Sequence, residues 1–214
     1  MITFEYPEII SAASPEVRDR INKGITQLLL RRSGWPADDS GFRSLDAYAN
    51  AFLEECSGFQ TRPEAHDLYE HKTVTILRYT PPILSFRCDS DEDAGGVHPF
   101  GNTLFVNFET GTGRILKLSD LVKEDALPKL TSLAEAQFRR DRGLSSSDSV
   151  SEQGYNFPGG HFRLNDNFGA GEKELLFVFN TYEIAAGAAG PTEIAIPYQV
   201  IRNLLKPDLH LERR

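Results

Sequence analysis

The sequence predicts an α+β fold made of two adjoining small units, each with helices packed on a mainly antiparallel sheet. Three observations carry that expectation. Val17, Ile21, Ile25, Leu28 and Leu29 recur at the spacing of one helix face. Leu68 to Tyr79 is rich in β-branched residues, the composition of a strand. Leu175-Leu176-Phe177-Val178-Phe179 is apolar at consecutive positions, as a strand covered on both faces requires.

The first unit is expected over residues 1–88. Ile2 to Tyr6 alternates like a strand. Ser14-Pro15-Glu16 is a helix start, with serine as cap and proline in the first turn, and the helix should run from about 15 to 32. Gly34-Trp35-Pro36 and Asp38-Asp39-Ser40-Gly41 make a polar connection. A second helix is expected over about 45–56, with Tyr48, Phe52 and Cys56 inward. The strand ending at Pro81-Pro82 should pair with Ile83–Cys88.

The second unit is expected over residues 89–214. It opens on the acidic loop Asp89-Ser90-Asp91-Glu92-Asp93. Leu104–Phe108 and Arg114–Leu118 should form a hairpin around Thr110-Gly111-Thr112-Gly113. A helix follows from Asp120 to about Arg142, interrupted near Pro128. Gly143 to Gly160 reads as a long mobile loop, and His161–Leu164 as a short strand. Strands at Leu175–Phe179 and Glu193–Ile196 and a closing helix from Pro197 to Leu205 complete the chain.

Composition narrows the function classes. In 214 residues, 40% are hydrophobic and the net charge is −8, which argues against nucleic acid and anionic membrane surfaces as partners. An acidic surface suits a basic partner, or simply keeps the protein in solution. No apolar run reaches the length of a membrane span, and residues 1–30 lack the order of a signal peptide. Cys56 and Cys88 are too few for a disulfide scaffold, although a single bond between helix and strand is open to them.

Several constellations bear on chemistry. Asp89, Asp91 and Asp93 alternate like calcium-loop ligands, but Ala94 and Phe100 stand where a turn glycine and a bidentate glutamate belong. Gly111-Thr112-Gly113 lacks the third glycine and following helix of a dinucleotide site. No metal or cofactor is therefore implied. Gly95-Gly96 precedes His98, and Gly159-Gly160 precedes His161, so two glycine turns each present an imidazole. If they met they would share a ligand or a proton; otherwise each ties down its own loop. His66, His71 and His210 have no ligating pattern. Tyr182 and Glu183 follow the most apolar strand, where a carboxylate acts in catalysis or anchors loop amides. A glycan hydrolase would need Glu183 and a second carboxylate such as Asp93 or Glu109.

Four segments carry a resemblance: Gly95-Gly96-Val97-His98-Pro99-Phe100-Gly101-Asn102, the turn Phe108 to Ile115, Leu118-Ser119-Asp120-Leu121-Val122, and Tyr182-Glu183-Ile184 through Gly190. In that order they resemble the bacterial extracytoplasmic domain of unknown function found in RsiV-like anti-sigma factors and beside some peptidoglycan deacetylase domains. The resemblance spans about 95–205. It implies an extracytoplasmic location with a leader removed, and a non-catalytic binding domain whose ligand is a basic protein such as lysozyme or the peptidoglycan itself. It favours a structural Glu183, because the chemistry of the deacetylase relatives sits in a separate domain. The binding candidates are Gly95, Gly96, His98, Asp91, Asp93, His161, Tyr182 and Glu183. This chain departs from the resemblance where acidic residues replace an aromatic segment before Gly95, and where Ala185-Ala186-Gly187 replaces Pro-Tyr.

Overall fold

The computed structural model describes residues 1–32, 40–59, 67–96, 98–209 and 211. The connection around Trp35, Val97, His66 and His210 lie outside these. The fold is α+β, with two adjoining units built on two sheets. Strands β1 (Ile2–Glu5), β2 (Tyr69–Thr80), β3 (Ile83–Asp93) and β4 (Phe100–Glu109) form the first sheet in that order. Only β1 and β2 run parallel; the other pairings are antiparallel.

Helices α1 (Pro15–Leu29) and α2 (Leu45–Phe59) cover one face of this sheet. The Ser14 hydroxyl accepts from the Val17 amide at 3.3 Å and so caps α1, with Pro15 in its first turn. Its stripe Val17, Ile21, Ile25, Leu28 packs on Val74, Leu84, Phe86, Val106 and Phe108. Cys56 and Cys88 are buried and unbonded, in separate apolar clusters.

The second unit stacks α3 (Leu118–Leu121) and α4 (Leu127–Asp141) on the sheet β5 (Phe168–Ala170), β6 (Glu174–Phe179), β7 (Thr192–Pro197). Leu130, Ala134 and Phe138, each four residues apart, are the fully buried edge of α4. The break expected near Pro128 is a short 3-10 turn, Glu124–Ala126, before α4. The closing helix is α5 (Tyr198–Ile201), continued by a 3-10 turn.

Four local expectations are corrected. The acidic segment Asp89–Asp93 is not a loop but the end of β3, paired residue for residue with β2 and with the start of β4. The expected boundary between 88 and 89 thus falls inside β3. Leu104–Phe108 pairs with β3, and only the bridge Phe108–Ile115 survives of the expected hairpin. One edge of β4 is taken by β3 along its whole length; on the other, side chains of the second unit accept from the Thr103 and Phe105 amides where a partner strand would pair. The stretch Gly143–Gly160 is not a free loop. Val150 and Phe157 enter the core, Tyr155 packs edge-on to Phe138 at 4.9 Å, and Arg139 donates to the Ser145 and Asp148 carbonyls. His161–Leu164 is no strand; Phe162 instead joins Phe138, Phe157 and Phe179 in an aromatic cluster.

Candidate functional site

Residues 84 apart in sequence meet where the two units join: His98 Nε2 lies 2.7 Å from the Tyr182 hydroxyl. The two rings are near-parallel, at 17° and 6.1 Å between centroids. Phe100 lies on Tyr182 in the same manner, at 13° and 5.9 Å. His98 Nδ1 is 2.9 Å from the Pro99 carbonyl. A carbonyl can only accept, so Nδ1 carries the proton and, in the neutral ring, Nε2 accepts from Tyr182. His98 and Tyr182 are exposed and Phe100 is half-buried, so the three rings form an outward-facing aromatic surface.

Local backbone chemistry builds each side of this surface. On the His98 side, the Asp93 carboxylate accepts from the Gly95 amide at 3.0 Å and closes a tight turn. Gly95 has φ +84°, and a Cβ there would stand 2.4 Å from the Phe59 ring. No side chain fits. On the other side, Tyr182 itself adopts φ +72°, which non-glycine residues rarely do. Glu183 holds that turn. Its carboxylate accepts from the Asn180 amide at 2.8 Å and from the Asn165 side chain at 2.7 Å, while its own amide donates to the Asn180 carbonyl at 3.0 Å. The Tyr182 ring then lies over Gly187, where an added Cβ would come within 2.5 Å of it.

Burial raises the Glu183 carboxyl above the usual carboxylate range, against the lowering effect of its two hydrogen bonds. A half-buried carboxylate with both oxygens engaged by amides anchors a turn. The binding candidates therefore divide. His98, Tyr182, Glu183, Gly95 and Asp93 belong to one corner. Gly96 is exposed and has no left-handed backbone, so the turn depends on Gly95. Asp91 instead accepts from the Tyr69 hydroxyl at 3.1 Å on the first sheet. His161 is exposed and no hydrogen bond joins it to His98, so the two glycine turns do not converge into one imidazole pair. Among the described residues, no three His, Cys, Asp or Glu side chains are grouped to hold a metal.

Sequence reasoning missed the asparagines that weld the site's two halves together. Asn180 accepts from the Thr103 amide at 2.8 Å and donates to its carbonyl at 3.0 Å. Asn167 accepts from the Phe105 amide at 3.0 Å and also donates to the Thr103 carbonyl at 2.8 Å. In return Asn107 of β4 donates to Phe168 O and accepts from the Ala170 amide of β5. These side-chain amides mimic a neighbouring strand and close the open edge of β4. The signal lay in Asn165-x-Asn167 and Asn180, amides standing at strand ends inside apolar surroundings.

A buried polar triad was also missed. Lys72 and Glu70 are 2% and 0% exposed and lie 3.0 Å apart beneath α1 and α2. Tyr48 donates to Glu70, and the Lys72 ammonium donates to the Tyr48 hydroxyl and to the Leu29 and Arg31 carbonyls. Burial lowers the Lys72 pKa, opposed by Glu70. Its carbonyl partners at the end of α1 mark it as a helix-terminus clamp. Among the described residues no helix is long and apolar enough to cross a membrane.

Comparison with known proteins agrees with this architecture. A crystal structure of a DUF3298 family member from Bacteroides fragilis superposes with a TM-score of 0.75 at 20% identity, covering 99% of this chain and 87% of that one. A second, from Pseudomonas aeruginosa PAO1, gives a TM-score of 0.66 at 19% identity, covering 97% and 86%. In sequence, the chain is 25% identical over 133 residues to the peptidoglycan-N-acetylmuramic acid deacetylase PdaC of Bacillus subtilis. That match takes in 61% of this chain and spans only 28% of the length of the deacetylase. Residues 119–199, which hold α4, the whole second sheet and the Tyr182–Glu183 turn, match the family model described as protein of unknown function DUF3298.

Proposed function

We propose that this chain is a non-catalytic binding module of the bacterial cell envelope, located outside the cytoplasm, whose ligand is the glycan of peptidoglycan. The observation that carries the reading is the exposed surface of His98, Tyr182 and Phe100, held from both units. Flat aromatic faces take the apolar C–H face of a sugar ring, while His98 and the Tyr182 hydroxyl supply polar edges for its hydroxyl groups. The relative's name supports the ligand class, since the PdaC deacetylase acts on peptidoglycan N-acetylmuramic acid.

The competing reading is a glycan hydrolase centred on Glu183. Its carboxylate is occupied by the Asn180 and Asn165 amides, which leaves it poorly placed to move a proton to substrate. A second binding reading is a basic protein such as lysozyme, favoured by the net charge of −8 and by Asp89, Asp91, Glu92 and Asp93 at the end of β3.

The test is sedimentation with purified, insoluble peptidoglycan. The unaltered chain should co-sediment and Tyr182→Ala should stay in the supernatant, both without releasing reducing sugar. Undiminished co-sedimentation of a folded Tyr182→Ala variant would move the site elsewhere. Tight binding to lysozyme with none to the sacculus would select the protein partner.

A further inference from the structure

We propose that the groove between α1 and the turn after β4 is a second binding site, which takes the free carboxyl terminus of a short peptide ending in a small apolar residue. The groove encloses about 590 Å³. Arg20, Lys23, Gly24 and Gln27 stand at i, i+3, i+4 and i+7, so they form one stripe of α1 facing it. Gly24 lets the buried Phe108 ring pack against the helix backbone beneath the groove; a Cβ on Gly24 would stand 2.5 Å from that ring.

Charge decides the class of ligand. The whole chain carries −8, yet the groove is lined by Arg20, Lys23 and Arg114 against Glu109 alone. Arg114 is engaged by Asp120 at 2.9 Å, and Glu109 is held by the Thr112 hydroxyl at 2.6 Å. Arg20 spends one donor on the Thr112 carbonyl at 2.5 Å. A guanidinium has further donors to offer, and Lys23 has no ion-pair partner among the described residues. Two cations with unspent donors and an exposed apolar side chain in one groove match a carboxylate attached to a small apolar body. Ile115 is that apolar side chain; it is 50% exposed. The site shares no residue with the His98–Tyr182 surface, so each stands or falls separately.

The probe is acetyl-Ala-Ala as the free acid, as its C-terminal amide and as the D,D isomer, titrated into the full chain and followed by two-dimensional NMR. The free acid should give saturable shifts confined to residues 20–27 and 108–115, and the amide should bind at least tenfold more weakly. Arg20→Gln with Lys23→Gln should lose the same tenfold, Lys23→Arg should retain binding, and Tyr182→Ala should leave it unchanged. Both groups are exposed, so a melting curve like that of the unaltered protein will confirm folding. Preference for the D,D isomer would assign the ligand to wall peptides, and preference for L,L to protein termini. Equal binding of acid and amide, or no shift with any of the three peptides, would overturn the proposal.

Discussion

The side chain of Asn180 makes both hydrogen bonds to the backbone of Thr103 that a neighbouring β-strand would make. One residue thus supplies the missing edge partner of β4 and, through its own amide on Glu183, the base of the Tyr182 turn. Fold and candidate site share a hinge-point. Asn180→Ala should therefore destabilise the chain by about 1–3 kcal/mol, the cost of leaving the part-buried Thr103 amide without its acceptor. Because Asn167 donates to the same Thr103 carbonyl, Asn167→Ala and Asn180→Ala should be non-additive in a denaturant double-mutant cycle.

Glu183 makes stability depend on pH in a stated direction. Its folded pKa is raised by burial, so the folded chain holds this proton more tightly than the unfolded one. The resulting stabilisation is fully present below the unfolded glutamate value, about 4.3, and is lost as pH rises through the higher folded value. Glu183→Gln should flatten that stretch of the stability profile, measured by urea unfolding across mildly acidic pH. An identical slope in the variant would assign the effect to another group.

The Lys72–Glu70–Tyr48 triad should respond asymmetrically. Lys72→Met removes the ammonium 3.0 Å from the fully buried Glu70 carboxylate and frees two helix-end carbonyls. A loss of about 3–5 kcal/mol is expected. Adding Glu70→Leu should recover part of it, since no buried carboxylate is then left without its counter-charge. Chemical unfolding of the two single variants and the double variant measures the recovery.

The glycine pair separates into one essential and one tolerant position. Gly95→Ala meets both a left-handed backbone at φ +84° and the Phe59 ring, and should cost about 1–3 kcal/mol. Gly96→Ala meets only the His98 carbonyl at 3.9 Å and should be near neutral. Thermal unfolding of the two variants distinguishes them.

The periodic elements were legible in the sequence because their burial is periodic. The stripe of α1 and the run Leu175–Phe179 announce themselves, and both occur as expected. The strand end Asp89–Asp93 did not, since acidic composition reads as loop while its pairing with β2 and β4 is a tertiary fact. Gly143–Gly160 misled in the same way: its serines and glycines hide Val150 and Phe157, whose burial depends on α4 lying above them. At the site, His98 and Tyr182 could each be singled out, but not their contact. That contact depends on the asparagine seam, and a lone asparagine carries no sequence periodicity.

Calorimetric titration with a soluble peptidoglycan tetrasaccharide tests the aromatic surface most directly. Tyr182→Phe keeps the ring and loses the hydroxyl bonded to His98; Tyr182→Ala loses both. The unaltered chain and Tyr182→Phe should bind saturably, and a folded Tyr182→Ala should bind at least tenfold more weakly, about 1.4 kcal/mol or more. Unchanged affinity in Tyr182→Ala, or no binding by the unaltered chain, would contradict a glycan site at His98, Phe100 and Tyr182.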